Sequence, residues 1–190
     1  MSICFIVSTF QRPEVLEACL ATLRIQPEPR RIIVADNSAD LALLYQNVAV
    51  CSHFGAEHVP TFVDNPYDAA NWVVESRYIT EPWLCFPSDD GLMVAGFSQI
   101  MLDVAKGNGL VYCDCIYRQD PLVGSWPAYR LLDAAPMMGR IDKTNFIVRR
   151  ELFKGFPPHP KGWCDGALIE QLIAQGVKHA KAPGVLVLHQ

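Results

Sequence analysis

Apolar runs of strand length alternate along this chain with stripes at helical spacing. Ile3 to Ser8 (ICFIVS) is such a run, and after a short polar turn Pro13 opens a segment whose Leu16, Cys19, Leu20 and Leu23 fall at i, i+3, i+4 and i+7. The pattern predicts a buried strand followed by an amphipathic helix. Pro27 and Pro29 stop the helix. Arg31 to Ala35 (RIIVA) then predicts a second buried strand, which ends at Asp36, Asn37 and Ser38, residue types that favour turns and caps. The resulting βαβ unit implies a parallel sheet.

Leu41, Leu44, Tyr45 and Val48 predict a second helix, Thr61 to Val63 a short third strand, and Asp68 to Tyr78 a third helix closed by Pro82. Trp83 to Phe86 (WLCF) is a fourth buried strand that runs into Ser88, Asp89, Asp90 and Gly91. A helix with Phe97, Ile100, Met101 and Val104 on one face follows, and Gly109 to Tyr117 is strand again. From Arg118 to Gly139 the pattern dissolves, and an irregular connection of that length is usually functional. Lys143 to Val148 reads as strand, Arg149 to Glu151 as the start of a helix, and Gly155 to Trp163 as loop. Asp165 to Gln175 reads as a helix ended by Gly176, and Val185 to Leu188 as the last strand. This alternation predicts an α/β fold, a mostly parallel central sheet flanked by helices. Its polar clusters lie at the carboxyl ends of strands, where open α/β sheets bind ligands.

With 190 residues, 51% of them hydrophobic and 19% charged, the chain is long enough for one domain over residues 1–190. The longest stretch free of Asp, Glu, Lys and Arg, Leu41 to Ala56, contains Gln46, Asn47, Ser52 and His53, so no membrane span is expected. No basic segment precedes an apolar one at the N-terminus, which predicts a cytoplasmic protein of a bacterium or of a virus-infected host cell. The seven cysteines sit mostly inside apolar runs with no C-x-x-C, as core thiols in a reducing compartment do. The net charge of -4 is uneven. Residues 1–95 hold five Lys and Arg against twelve Asp and Glu, whereas residues 96–190 hold eleven against eight. Such a balance excludes a strongly electrostatic nucleic-acid binder and leaves a mildly basic C-terminal half.

Asp36 ends the second predicted strand and the pair Asp89, Asp90 the fourth, so a parallel sheet brings three carboxylates to one edge. Carboxylates crowded in this way invite a divalent cation. An isolated Ser-Asp-Asp-Gly is as readily a plain turn, but here Phe86 and Pro87 bring it straight out of a buried strand. His189 also follows an apolar strand and supplies a nitrogen donor suited to Mn2+.

In this order the motifs resemble the family 2-like glycosyltransferases of GT-A fold, over nearly the whole chain. VSTFQRPEVLEACLATL is similar to the family's first strand, Thr-aromatic-x-Arg-Pro turn and first helix, and IIVADNSAD to the second strand with the aspartate that reads the nucleotide base. FPSDDGLMVAGF is similar to the DXD-type metal motif, NFIVRRELFKGFPP to the acceptor-side strand, WCDGALIEQLIAQG to the segment of the catalytic carboxylate, and VLVLHQ to the strand whose histidine completes the metal site. The resemblance implies a nucleotide-sugar-binding half at 1–95 and an acceptor-side half at 96–190. It places Thr9, Phe10 and Arg12 in the nucleotide pocket, Asp36 on the base, Asn71 near the nucleotide, and Asp89 on ribose or sugar hydroxyls. Asp90 and His189 would hold Mn2+ (or Mg2+) on the diphosphate, Gly139 would face the donor sugar, and Asp165 would be the base. A UDP-sugar is the expected donor. The chain departs from the pattern at NPYDAANW, which lacks the Gly-rich approach and the arginine before the asparagine, and at Cys164, which stands where the family has a second carboxylate.

These parts suit sugar transfer. A Lewis-acid cation neutralises the charge left on a departing diphosphate, and a carboxylate opposite it takes the proton of a poorly nucleophilic hydroxyl. One base on the far face implies inversion. The acceptor is expected to be a saccharide, a small molecule or a hydroxymethylated base in DNA, with Arg140, Lys143, Arg149 and Arg150 as possible phosphate contacts in the last case. Acceptor choice is assigned to Arg118 to Gly139 and Gly155 to Trp163, where Trp126 and Trp163 offer flat rings for stacking. Two other readings stay open: a GT-A-like domain that binds without turnover, and a nucleotidyltransferase, for which VSTFQRP lacks the usual Gly-rich loop. Asp165 also has a plain alternative role as a helix cap.

Overall fold

A computed structural model describes residues 1–27, 30–63, 65–119 and 128–189 of the chain. β1 (Ile3–Thr9) is buried at every position, as a strand covered on both faces requires. α1 (Pro13–Arg24) buries the predicted stripe Leu16, Cys19, Leu20 and Leu23 and begins with Pro13, whose missing N–H is one the first helical turn leaves unused anyway. β2 (Arg30–Asp36) pairs with β1 in parallel, Ile3 opposite Arg30 through Thr9 opposite Asp36. α2 (Leu41–Phe54) starts at Asp40, whose carboxylate accepts the N–H groups of Ala42 and Leu43, and it ends at Gly55 in the left-handed region.

Beyond this unit several expected elements move. The third strand, β3, is Glu57–Pro60 rather than Thr61–Val63, and only Val59 of it is buried, so no apolar run marked it. α3 (Pro66–Ser76) begins before Asp68 because Asn65 caps it and Pro66 takes its first turn. β4 (Trp83–Cys85) is followed by an unforeseen strand, β5 (Gly91–Met93), then by α4 (Phe97–Val104). The stretch expected to be irregular from Arg118 is partly strand: β6 (Leu110–Gln119) continues into it and β7 (Ala128–Leu132) pairs back on β6 antiparallel. Trp126 lies outside the described residues. Lys143–Asn145 forms a single 3-10 turn before β8 (Phe146–Arg149), and the helix expected at Arg149 is only another such turn, Arg150–Leu152. α5 (Cys164–Ala174) precedes β9 (His179–His189), which is longer than Val185–Leu188 because it follows β6 through a register shift near Asp114.

Among the described residues the nine strands form one sheet in the order β3-β2-β1-β4-β8-β6-β9-β5, with β7 beside β6. The run from β3 to β4 is parallel, β8 enters antiparallel between β4 and β6, and β9 is parallel to β6. Alternate residues of each strand feed two cores. Ile3, Phe5, Val7 and Val34 join Leu16, Leu20, Phe97 and Met101 on one face, whereas Cys4, Ile6 and Ile33 join Ala69, Val73, Leu168 and Ile169 on the other. All seven cysteines are free and buried in these layers. Among the described residues no helix is long and apolar enough to cross a membrane.

Candidate active site

Strand polarity gathers the site. β1 ends at Thr9, and beyond β4 the chain stays beside it, Ser88 bridging Ser8 and the Asp89 N–H donating to the Ser8 carbonyl at 3.1 Å. Because β8 runs the other way, the turn that precedes it, Asp142–Asn145, arrives at the same edge, and β9 delivers His189 there. A cavity of about 540 Å³ opens over this edge, lined among others by Thr9, Phe10, Arg12, Asn37, Phe62 and Lys143. Asp89 forms its floor, fully buried: Thr9 Oγ1 donates to Oδ2 at 2.7 Å, Arg12 Nε to the same atom at 3.2 Å, and Arg12 Nη2 to Oδ1. Burial pushes this carboxyl up from its ordinary value, while Thr9 and Arg12 pull the other way.

Antiparallel pairing sets Gly91 of β5 opposite His189 of β9, which carries Asp90 to the imidazole. His189 Nε2 lies 3.4 Å from Asp90 Oδ1, a buried oxygen with no hydrogen-bond partner among the described residues. The Tyr117 ring stands 4.9 Å from the His189 ring and limits its tilt. Gly91 lets Thr144 pack closely against β5, since a Cβ there would lie 2.6 Å from the Thr144 methyl. Among the described residues no three His, Cys, Asp or Glu side chains converge as a complete metal cage. One carboxylate oxygen and one imidazole instead fit a divalent cation that completes its shell with phosphate oxygens and water.

Asp165 lies in the first turn of α5, where Trp163, not Asp165, is the N-cap residue. Its Oδ1 accepts the Gly166 N–H at 2.8 Å and its Oδ2 the Lys143 N–H at 3.0 Å. Burial first, and then the charge of Asp142, push this carboxyl up to about 6. Gly166 is required here because a Cβ would meet Met138 Cα at 2.8 Å. The carboxylate faces a second cavity of about 490 Å³ with Tyr67, Tyr117, Arg130, Gly139, Asp142 and Trp163. Pro66 and Lys143 line the first cavity, Tyr67 and Asp142 the second, so the two share a wall one residue thick.

Three expected residues are elsewhere. Asp36 does not line the first cavity: it is fully buried, with Asn47 Nδ2 donating to Oδ2 at 2.9 Å, His58 Nε2 at 2.9 Å from the same oxygen, and the Ser38 N–H donating to Oδ1. Burial works to raise its pKa, but these hydrogen bonds outweigh it and hold the carboxyl below the ordinary value. Asn71 clamps a loop, its amide bonded to both the N–H and the carbonyl of Phe156. Gly139, at φ 72°, lines the second cavity rather than the first. Arg149 stands at the far end of β8, its guanidinium 4.9 Å from the Trp83 ring centre, and so lies away from the site. The sequence reading missed Asn37, Phe62, Tyr67 and Asp142, and it named Lys143 only as a phosphate contact. Of these only Asn37 carried a signal, as a polar residue at a strand end.

No protein-family model matches the chain, and no curated protein matches it by sequence. Solved structures do. The crystal structure of S. aureus TarS superposes with a TM-score of 0.74 at 13% identity, covering 100% of this chain and 37% of that one. The UDP-GlcNAc complex of TarS 1–349 gives 0.64 at 14% identity over 99% of this chain and 58% of that one. Mannosyltransferase PcManGT from Pyrobaculum calidifontis, in complex with GDP-Man and Mn2+, gives 0.72 at 17% identity over 98% of this chain and 56% of that one. The chain thus spans about a third to three fifths of their lengths, and what it shares with them is the GT-A glycosyltransferase fold.

Proposed function

We propose that the chain is a glycosyltransferase domain that moves a sugar from a nucleotide-diphosphate donor to an acceptor hydroxyl with inversion. The observation that carries this reading is the shared wall. A cavity floored by Asp89, whose sequence neighbour Asp90 faces His189, abuts a second cavity that holds a buried carboxylate, Asp165, whose pKa is raised to about 6. The base would lie between Phe10 and Phe62 with Asn37 at its edge, the ribose toward Asp89, and the diphosphate at Asp90 and His189. A divalent cation held there, Mn2+ or Mg2+, would supply Lewis-acid charge neutralisation. The UDP, UDP-GlcNAc and GDP-Man complexes of the neighbouring structures support a nucleotide-sugar donor, with UDP and GDP both represented.

The chain's own residues carry the rest. Asp165, held in orientation by the Lys143 and Gly166 N–H groups, takes the acceptor proton as the acceptor oxygen attacks from the second cavity. Tyr67, Tyr117 and Trp163 give that cavity the flat apolar walls on which a sugar ring or base can lie. A DNA acceptor gains no support from Arg149, which is remote, or from Lys143, which is buried. The test is a transfer and hydrolysis screen of UDP- and GDP-sugars with Mn2+, with saccharides and hydroxymethylated DNA as acceptors. Turnover lost in Asp165→Asn is the expected result. Nucleotide binding without turnover on any donor would instead favour the non-catalytic reading.

A further inference from the structure

Lys143 is a buried basic residue whose side chain has no part in the steps assigned to Asp89, Asp90, His189 and Asp165. It is 4% exposed yet lines the donor cavity, and its Nζ has no hydrogen-bond partner among the described residues. Its root is rigid: the backbone N–H is tied to Asp165, and the turn it opens is capped by Asp142, with Asn145 reciprocating. The side-chain nitrogen stands 5.7 Å from the Tyr67 ring centre; burial pushes its pKa below the ordinary lysine value, and the charges of Asp142, Asp89, Asp90 and Asp165 pull it back up. Three of these carboxylates already have hydrogen-bond partners, Asp142 through the Thr144 N–H, while Asp90 Oδ1 has none among the described residues and faces His189. Asp89 is engaged by Arg12 and Thr9, and Asp165 by two N–H groups. An ammonium buried without acceptors is strongly unfavourable and has three donors to offer.

Resting on the donor reading above, we infer that Lys143 Nζ binds the terminal phosphate of a nucleoside diphosphate in the donor cavity, as a fixed positive charge supplied by the chain itself beside Asp90 and His189. During transfer the sugar–oxygen bond to that phosphate breaks and its electron pair stays on the phosphate oxygen. The acceptor oxygen forms the new bond, and its proton goes to Asp165. Lys143 keeps its protons throughout and hydrogen-bonds the oxygen on which the charge collects.

The test is calorimetric binding of UDP, GDP, UMP and GMP, in EDTA and in Mn2+, to the wild type, Lys143→Met and Lys143→Gln. In EDTA, Lys143→Met should weaken the diphosphates at least ~10-fold, the effect of one charge-assisted hydrogen bond, and the monophosphates less than ~2-fold. Its melting temperature should hold or rise, since an unpaired buried charge is removed. An equal loss for mono- and diphosphates, or unchanged diphosphate binding, overturns the inference. Should Lys143→Met fail to fold, Lys143→Gln makes the same comparison, and the wild type must itself prefer diphosphates ~10-fold in EDTA. No such preference also overturns it. A wild type that binds none of the four nucleotides under either condition sinks the donor reading instead, a different failure from binding that ignores Lys143.

Discussion

His189 Nε2 and Asp90 Oδ1 face each other at 3.4 Å, brought together by two strands that pair antiparallel across the end of the sheet. Neither group alone makes a cation site, but together they offer one nitrogen and one oxygen to an ion that shares a diphosphate. Mn2+ should therefore tighten UDP or GDP binding in the wild type, and His189→Ala should abolish that gain while leaving binding in EDTA unchanged. Calorimetry with and without Mn2+ decides it. A gain that survives in His189→Ala would take the histidine out of the site.

Phe62 holds φ at 52°, a left-handed conformation that costs a bulky residue about 1–2 kcal/mol, and exposes 71% of its surface at the donor cavity. Neither feature serves folding. Phe62→Gly should raise the melting temperature by relieving the backbone, yet weaken nucleotide binding by about 1–3 kcal/mol through lost stacking. A glycine variant that binds nucleotide as the wild type does would remove Phe62 from base recognition.

The first βαβ unit was legible because each of its elements carries its own signal: a run buried on both faces, a stripe at helical spacing, a proline at the first turn. β3 and β5 carried none, one burying fully only Val59 of its four residues and the other being a three-residue strand whose partner, β9, comes at the far end of the chain. The site divides in the same way. Thr9, Arg12, Asp89 and Asp90 sit in contiguous motifs, and the structure brings them into contact. Asp36 has an equally clear motif, but whether its carboxylate turns to the cleft or inward depends on Asn47 of α2 and His58 of β3. Lys143 looks in sequence like any strand-leading lysine, and only the packing of Tyr67 and Asp165 around it makes it unusual.

Asp36 should accordingly behave as a structural residue. Asp36→Ala leaves the buried Ser38 N–H without its acceptor and the Asn47 amide with only Ser38 Oγ at 3.2 Å, and each lost bond is worth about 1–3 kcal/mol. Thermal unfolding should show a marked loss of stability, whereas Asn37→Ala should weaken nucleotide binding with the melting temperature near wild type. A stable Asp36→Ala that fails only to bind nucleotide would reverse the two assignments.

Asp165 offers a test of mechanism that uses pH. Its carboxyl is pushed up to about 6 by burial and by Asp142, so the folded protein keeps this proton until the pH passes that value. A general base must be ionised, and transfer should fall on the acid side with an apparent pKa near 6. Asp142→Asn keeps an acceptor at the cap of the Lys143–Asn145 turn but removes the neighbouring charge, so the acid limb should move to lower pH. Stability should run in the opposite sense. An unfolded aspartate releases its proton near ~3.9, so ionising Asp165 disfavours the fold, and the wild type should lose stability relative to Asp165→Asn as the pH rises from ~4 past ~6. Asp165→Asn itself should fold, bind the donor normally and transfer sugar at least ~100-fold more slowly. Wild-type transfer by that variant would remove Asp165 as the base. An acid limb that Asp142→Asn leaves in place would assign the titration to another group, and a product that retains the donor's anomeric configuration would exclude single displacement even with Asp165 essential.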